Sequence, residues 1–340
     1  ATLGVLLMSI ITGVLIWFIL GMTGESAQIG LTASLLLAAT MSSTDSASVF
    51  AILRSKGLRL KNNLRPTLEL ESGSNDPMAY ILVITLIDIV KLNSLPNIWQ
   101  ILGMIAMQLC IGVLAGFVLA KIAIIIINRL KIDNASLYPI LVLTFCILTF
   151  SLTYFLKGNG YLAVYIAGLI IGNSSFQHKR STVNFFDGLT WLCQLLMFLT
   201  LGLLVNPSEL VPVLIPGLII SIAMIFIARP ISVLLCLLPF RKIDFRSKVY
   251  ISWCGLRGAV PIIFAILPLA ENLPHARTIF NIVFLCTLVS LLIQGTSLPI
   301  MAKWLKLDDN TKQLKQLEDF DVDFSDEIKS VATEITITDK

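Results

Sequence analysis

ESGSNDPMAYILVITLIDIV, residues 71–90, sets two carboxylates, two hydroxyls and an amide directly against a run apolar enough to lie in hydrocarbon. A charged side chain at the centre of a bilayer costs on the order of 3 kcal/mol on insertion scales. A loop mistaken for a span would explain the polar residues, but the apolar run follows them directly. Ionisable residues at membrane depth face aqueous cavities and mark ion or proton paths, and that reading is favoured over the loop.

Around this stretch the chain has the composition of a polytopic helical membrane protein. Hydrophobic residues make up 56% and charged residues only 14%, and the mean hydropathy is +0.88. Ten apolar segments, at about 1–21, 27–53, 66–90, 97–128, 136–155, 159–173, 185–204, 211–238, 248–270 and 278–302, are each near the length needed to cross ~30 Å. Helices are required, since lipid cannot satisfy open backbone groups and no alternating barrel pattern is present. Alternate loops carry Arg54, Lys56, Arg59, Lys61, Arg65, Arg129, Lys131, Lys179, Arg180, Arg241, Lys242, Arg246 and Lys248, while the others offer only Lys91, Lys157 and Arg277. The bias places the first set, and with ten spans both ends of the chain, in the cytoplasm. The net charge of +4 reflects these loops and gives no reason to expect nucleic acid as a partner.

Six cysteines lie singly in apolar spans and both histidines in loops. That pattern excludes a disulfide framework and a histidine-based metal centre, and no cofactor is expected. The chain opens inside ATLGVLLMSIITGVLIWFIL (1–20) without Met or a signal pattern, so a piece of a longer protein is expected. Residues 1–305 read as the transmembrane domain. Residues 306–340, with EDFDVDFSDE (318–327) and the alternating TEITIT (333–338), read as a cytoplasmic acidic linker and the start of a truncated soluble domain, or as an acidic tail without structure.

Two spans carry interruptions. Ser42, Ser43, Thr44, Asp45 and Ser46 sit near the centre of the second. Such side chains compete for backbone groups, so the helix should stop and restart with Thr44 or Asp45 capping the second half. The alternative is a polar patch packed on a neighbour. In the ninth span, GLRGAVP (255–261) brings two Gly and a Pro into seven residues, with a simple proline kink as the alternative. Two broken helices of opposite direction suggest an inverted-repeat transporter with its site at the midplane. Asp45 would compensate the exposed N-terminal dipole and Arg257 the C-terminal one.

In the third span Asp76 lies ~15 Å deep, and Ser72, Asn75 and Asp76 share a face at i+3 and i+4. Glu71 needs a partner, since a buried carboxylate lacking one takes up a proton. Arg229 in the eighth span, at comparable depth, is the candidate, with snorkelling of Arg229 as the rival. The remaining donors are carboxylate, amide and hydroxyl oxygens, which suit alkali cations and protons rather than soft metals. One aspartate that holds either a cation or a proton couples the two by competition.

STDS (43–46), ESGSND (71–76), IARP (227–230) and GLRGAVP (255–261), in that order, resemble the monovalent cation:proton antiporter family over residues 1–305. The likeness leans to the bacterial potassium/proton type. The resemblance implies an all-α, inverted-repeat antiporter fold with two broken, crossing helices and about thirteen spans, three of them before residue 1. It implies Asp76 as the cation- and proton-binding carboxylate, aided by Thr44, Ser72 and Asn75, with an alkali cation as the only metal. Glu71 and Arg229 would be the structural ion pair, and Asp45 and Arg257 the compensating charges. It further implies a homodimer in the bacterial inner membrane, a regulatory ligand for the domain beyond the tail, and, from the Asn-Asp pair, electroneutral exchange of Na⁺ or K⁺ for H⁺. Two other classes stay open: a cation channel, and an intramembrane aspartyl protease using Asp45 and Asp76, although the latter lacks the Gly-x-Gly-Asp context.

Overall fold

The computed structural model describes residues 2–22, 30–58, 60, 61, 64–92, 98–130, 134, 136–240 and 243–308. The acidic segment, the TEITIT run and the charges of Arg59, Lys131, Arg241 and Lys242 lie outside the described residues. In order along the chain, the helices are α1 (Thr2–Met22), α2 (Leu31–Thr40), α3 (Ser46–Ser55), α4 (Leu64–Leu92), α5 (Ile98–Arg129), α6 (Leu137–Phe155), α7 (Gly160–Asn173) and α8 (Lys179–Leu204). There follow α9 (Pro207–Leu210), α10 (Leu214–Ala223), α11 (Arg229–Leu237), α12 (Phe245–Trp253), α13 (Val260–Ala270), α14 (Ala276–Ser290) and α15 (Thr296–Trp304).

Seven helical stretches are long and apolar enough to span a membrane. The other three expected spans are the broken pairs α2/α3 and α12/α13 and the short α7. Two of the expected spans are not α-helical throughout. Met224–Ala228, between α10 and α11, and Leu291–Gly295, between α14 and α15, are wound as π-helix, a widening frequent at functional sites. The seventh span starts earlier than expected, at Lys179, because its first turns are polar and escape a hydropathy reading.

The chain packs in two groups. One comprises α1 to α4 with α10 to α15, where α1 lies on α2, α2 on α4, α10 on α14 and α11 on α12. In each half of this group the middle span of three is the broken one. Its interior divides into a large apolar cluster around Leu36, Leu37, Ile81, Phe264 and Ile282 and a second around Phe50, Leu53, Leu64, Tyr250 and Leu298. The other group is α5, α6 and α7, centred on Ala120, Ala123, Tyr138 and Phe145, with α8 against α6. Lipid offers no hydrophobic drive between helices, so close contact needs small residues. Gly116 meets that need on α5, where an added Cβ would come within 2.6 Å of the Ala163 carbonyl oxygen of α7.

Candidate functional site

The break in the second span ends α2 through its own hydroxyls. Thr40 donates to the Leu37 carbonyl and Ser42 to the Ala39 carbonyl, each at 2.7 Å. Residues 43–45 belong to no helix, and Asp45, extended, caps α3, accepting from the Ser48 amide at 3.0 Å. Ser48 Oγ, which donates to Asp45 Oδ2, accepts in turn from Gln194 Nε2 of α8 at 3.0 Å.

The two breaks bond to each other. The Asp45 amide donates to the Leu256 carbonyl at 2.9 Å. Arg257 Nη1 donates to the Ser43 carbonyl at 2.6 Å, and Arg257 is 2% exposed. Contact this close requires glycine: a Cβ on Gly258 would stand 2.3 Å from Asp45 Oδ2, and one on Gly255 2.7 Å from Arg229 Nε. The span-nine break also carries a buried clamp. Gln294, in the second π-segment, donates to the Trp253 carbonyl at 2.9 Å and accepts from Ser290 Oγ at 2.6 Å, while Ser290 Oγ accepts from the Arg257 amide at 2.9 Å. The last carbonyl of α12 and an amide of the break are thus both satisfied without water, as buried backbone groups must be.

The polar end of α4 faces the first break. Ser43 Oγ donates to Asp76 Oδ1. Ser72 Oγ donates to the Thr44 carbonyl at 2.8 Å and accepts from the Ser46 amide at 3.3 Å. Asn75 Nδ2 donates to Thr44 Oγ1, whereas Asn75 Oδ1 is buried with no partner. Pro77, inside α4, has no amide to donate to the helix, and its carbonyl accepts from Asn159 Nδ2, at the N-cap of α7, at 2.8 Å. One turn before the Asn-Asp pair, Glu71 Oε1 accepts from Arg229 Nη2 at 2.6 Å, with the Arg229 side chain 6% and the Glu71 side chain 20% exposed. A cavity of about 290 Å³ between α1, α4, α11 and α12 is lined by Glu71, Asn75 and Arg229 among apolar side chains.

All eight residues singled out in the sequence therefore lie at or beside the paired breaks. Among the hydroxyls, Ser43 rather than Ser72 or Thr44 bonds the Asp76 carboxylate. Ser43, Ser48, Gln194, Ser290 and Gln294 were not singled out as site residues. The signal was available: Gln194 and Gln294 are amides inside apolar spans, and an amide at that depth needs partners. No group of three or more His, Cys, Asp or Glu side chains able to hold a metal ion occurs among the described residues. The side chain bonded to Asp76 is the Ser43 hydroxyl, and Asn75 Oδ1 beside it in sequence is a buried oxygen without a partner; oxygen ligands of this kind suit hard cations.

Fold and site together define an all-α membrane protein built around two interrupted spans joined at their breaks. The profile of the family described as "Sodium/hydrogen exchanger, transmembrane" matches residues 1–304, and the chain belongs to that family, whose members are transporters, not enzymes. It is 41% identical over 308 residues, or 91% of its length, to the K(+)/H(+) antiporter NhaP of Alkalimonas amylolytica. It is 27% identical over 306 residues to the Na(+)/H(+) antiporter NhaG of Bacillus atrophaeus. Among solved structures, the sodium proton antiporter MjNhaP1 from Methanocaldococcus jannaschii at pH 8 superposes with a TM-score of 0.76 at 26% identity, over 89% of this chain and 77% of that one. The chain spans about half the length of the curated relatives it matches, 52% of NhaP.

Proposed function

We propose that this protein exchanges a monovalent cation for protons across the membrane, by alternating access, at Asp76. The observation that carries the reading is the meeting of the two breaks with Asp76: Ser43 holds the carboxylate and its own carbonyl is held by Arg257. Ionised, Asp76 binds the cation with the oxygens of Ser43, Thr44, Ser72 and Asn75; protonated, it releases it. Competition of two ligands for one carboxylate couples their opposite movements. K⁺ is proposed as the first cation to test, because relatives at 41% identity carry that name whereas the sodium-named ones stand at 26–27%.

In this reading Glu71 and Arg229 are a structural pair that joins α4 to α11, and Asp45 and Arg257 balance the ends of the half-helices. Residues 1–305 are the transport domain and residues 306–340 lead into a cytoplasmic regulatory part. The protein works as a homodimer in the inner membrane, with both ends of this chain in the cytoplasm. The experiment is dequenching of a pH dye in everted vesicles holding the full-length protein, on separate addition of K⁺, Na⁺ and Li⁺. At least one cation should discharge the gradient, and Asp76→Asn should abolish the response at undiminished expression. Exchange retained by that variant would remove Asp76 from the mechanism. Currents far above transporter turnover would favour a channel.

A further inference from the structure

A second cavity, about 540 Å³, lies on the face that carries the basic loops and is lined by Phe50, Leu53, Arg54, Leu58, Leu60 and Arg65. Its chemistry is mixed. Phe50 and Leu53 belong to the buried apolar cluster of this end of the molecule, while Arg54, in the last turn of α3, is exposed and has no ion-pair partner among the described residues. Arg65 stands 5.6 Å over the Phe50 ring and spends its Nε on Glu69, leaving its other guanidinium donors available. A site of this kind suits a ligand that presents apolar rings and carboxylates side by side.

The chain itself leaves the described structure at the rim of this cavity. The Lys61 amide donates to the Leu307 carbonyl at 2.9 Å, and Leu60, a lining residue, pairs with Asp308 in an antiparallel bridge. Ten residues further on, EDFDVDFSDE (318–327) offers six carboxylates and the rings of Phe320 and Phe324. From Asp308 to Phe320 the chain can reach at most ~40 Å and has a root-mean-square span of ~20 Å if flexible, so both rings have the cavity within range. A tether of that length supplies an effective concentration on the order of millimolar, at which even modest charge and ring contacts suffice.

We propose that residues 318–327 dock into the Phe50–Arg65 cavity, with Phe320 or Phe324 on the apolar wall and the flanking carboxylates on Arg54 and Arg65. An occupied cavity would touch the end of α3, whose other end is capped by Asp45 at the break.

The test uses the full-length protein in liposomes, with a benzophenone amino acid in place of Phe320 or Phe324, irradiation, and mapping of adducts by mass spectrometry. It does not depend on transport, so its failure is separable from that of the exchange reading. Adducts should fall within residues 50–65, and Arg54→Glu with Arg65→Glu should lower their yield roughly tenfold, since attraction at the rim becomes repulsion. Reversing the tail in that background (Asp319→Lys, Asp321→Lys, Asp323→Lys) should restore it. Should the double variant fail to fold, Arg54→Gln and a rise in salt from ~0.05 to ~0.5 M on the unaltered protein should each reduce the yield, because screening weakens exposed pairs. Adducts confined to other segments or to lipid, the latter meaning that anionic headgroups fill the site, would overturn the proposal. So would a yield indifferent to charge reversal or salt.

Discussion

Removing Glu71 should destabilise the protein more than removing Arg229, although the two make one contact. At 2.6 Å the gross attraction is about 6 kcal/mol for an effective dielectric of ~20, offset by a desolvation cost of several kcal/mol per ion. Breaking such a pair from one side costs ~3–5 kcal/mol, because the survivor is left buried without compensation. The survivors differ. In Glu71→Ala the survivor is Arg229, which cannot lose its proton, already has an unpartnered Nε, and has a side chain only 6% exposed. In Arg229→Ala the survivor is a partly exposed carboxyl, which can take up a proton or water. Glu71→Ala should therefore fall at the upper end of that range and Arg229→Ala at the lower. The double variant should be less damaged than the sum by ~1–3 kcal/mol, as groups in direct contact are coupled. Melting of the purified full-length protein in detergent, followed by monodispersity after heating, ranks the four proteins. Strict additivity would refute the argument, and so would an Arg229→Ala variant less stable than Glu71→Ala.

Two further expectations follow from the site. Exchange should be electroneutral: Asn75 can ligate a cation but cannot return a proton, Glu71 is engaged with Arg229, and Asp45 caps α3. Rates in sealed vesicles at fixed ion gradients should then ignore membrane potential, whereas a response near ~2.3 kcal/mol per charge per 100 mV would show net charge movement and a second titrating acid. Gln294→Leu should strand the Trp253 carbonyl and Ser290 Oγ, costing ~1–3 kcal/mol for the unsatisfied buried group, seen as a lower melting temperature; Gln294→Glu, which keeps the acceptor for Ser290 but sets a buried carboxylate against the Trp253 carbonyl, should lower it at least as far.

Much of this protein was legible in its order of residues, for reasons that are local or periodic. A run of apolar residues long enough to cross hydrocarbon must be helical, because no water reaches its backbone, and the seven long apolar helices follow from that alone. The breaks were visible because Ser, Thr, Asp, Gly and Pro interrupt a helix by their own backbone chemistry, and Asp45 caps α3 through a bond only three residues long. What only the tertiary structure decided depends on contacts between residues far apart in sequence. Periodicity places Ser72, Asn75 and Asp76 on one face of α4, but it says nothing of which hydroxyl of the other span meets the carboxylate; backbone geometry at the break turns Ser43 there and sends Thr44 to Asn75. Neither π-segment announces its widening in sequence: Met224–Ala228 is apolar throughout, and Leu291–Gly295 differs only in Gln294 and Gly295. Gln294 becomes a clamp only because α14, α15 and α12 converge on one interrupted helix, where every backbone group that the break frees has to find a partner inside the protein.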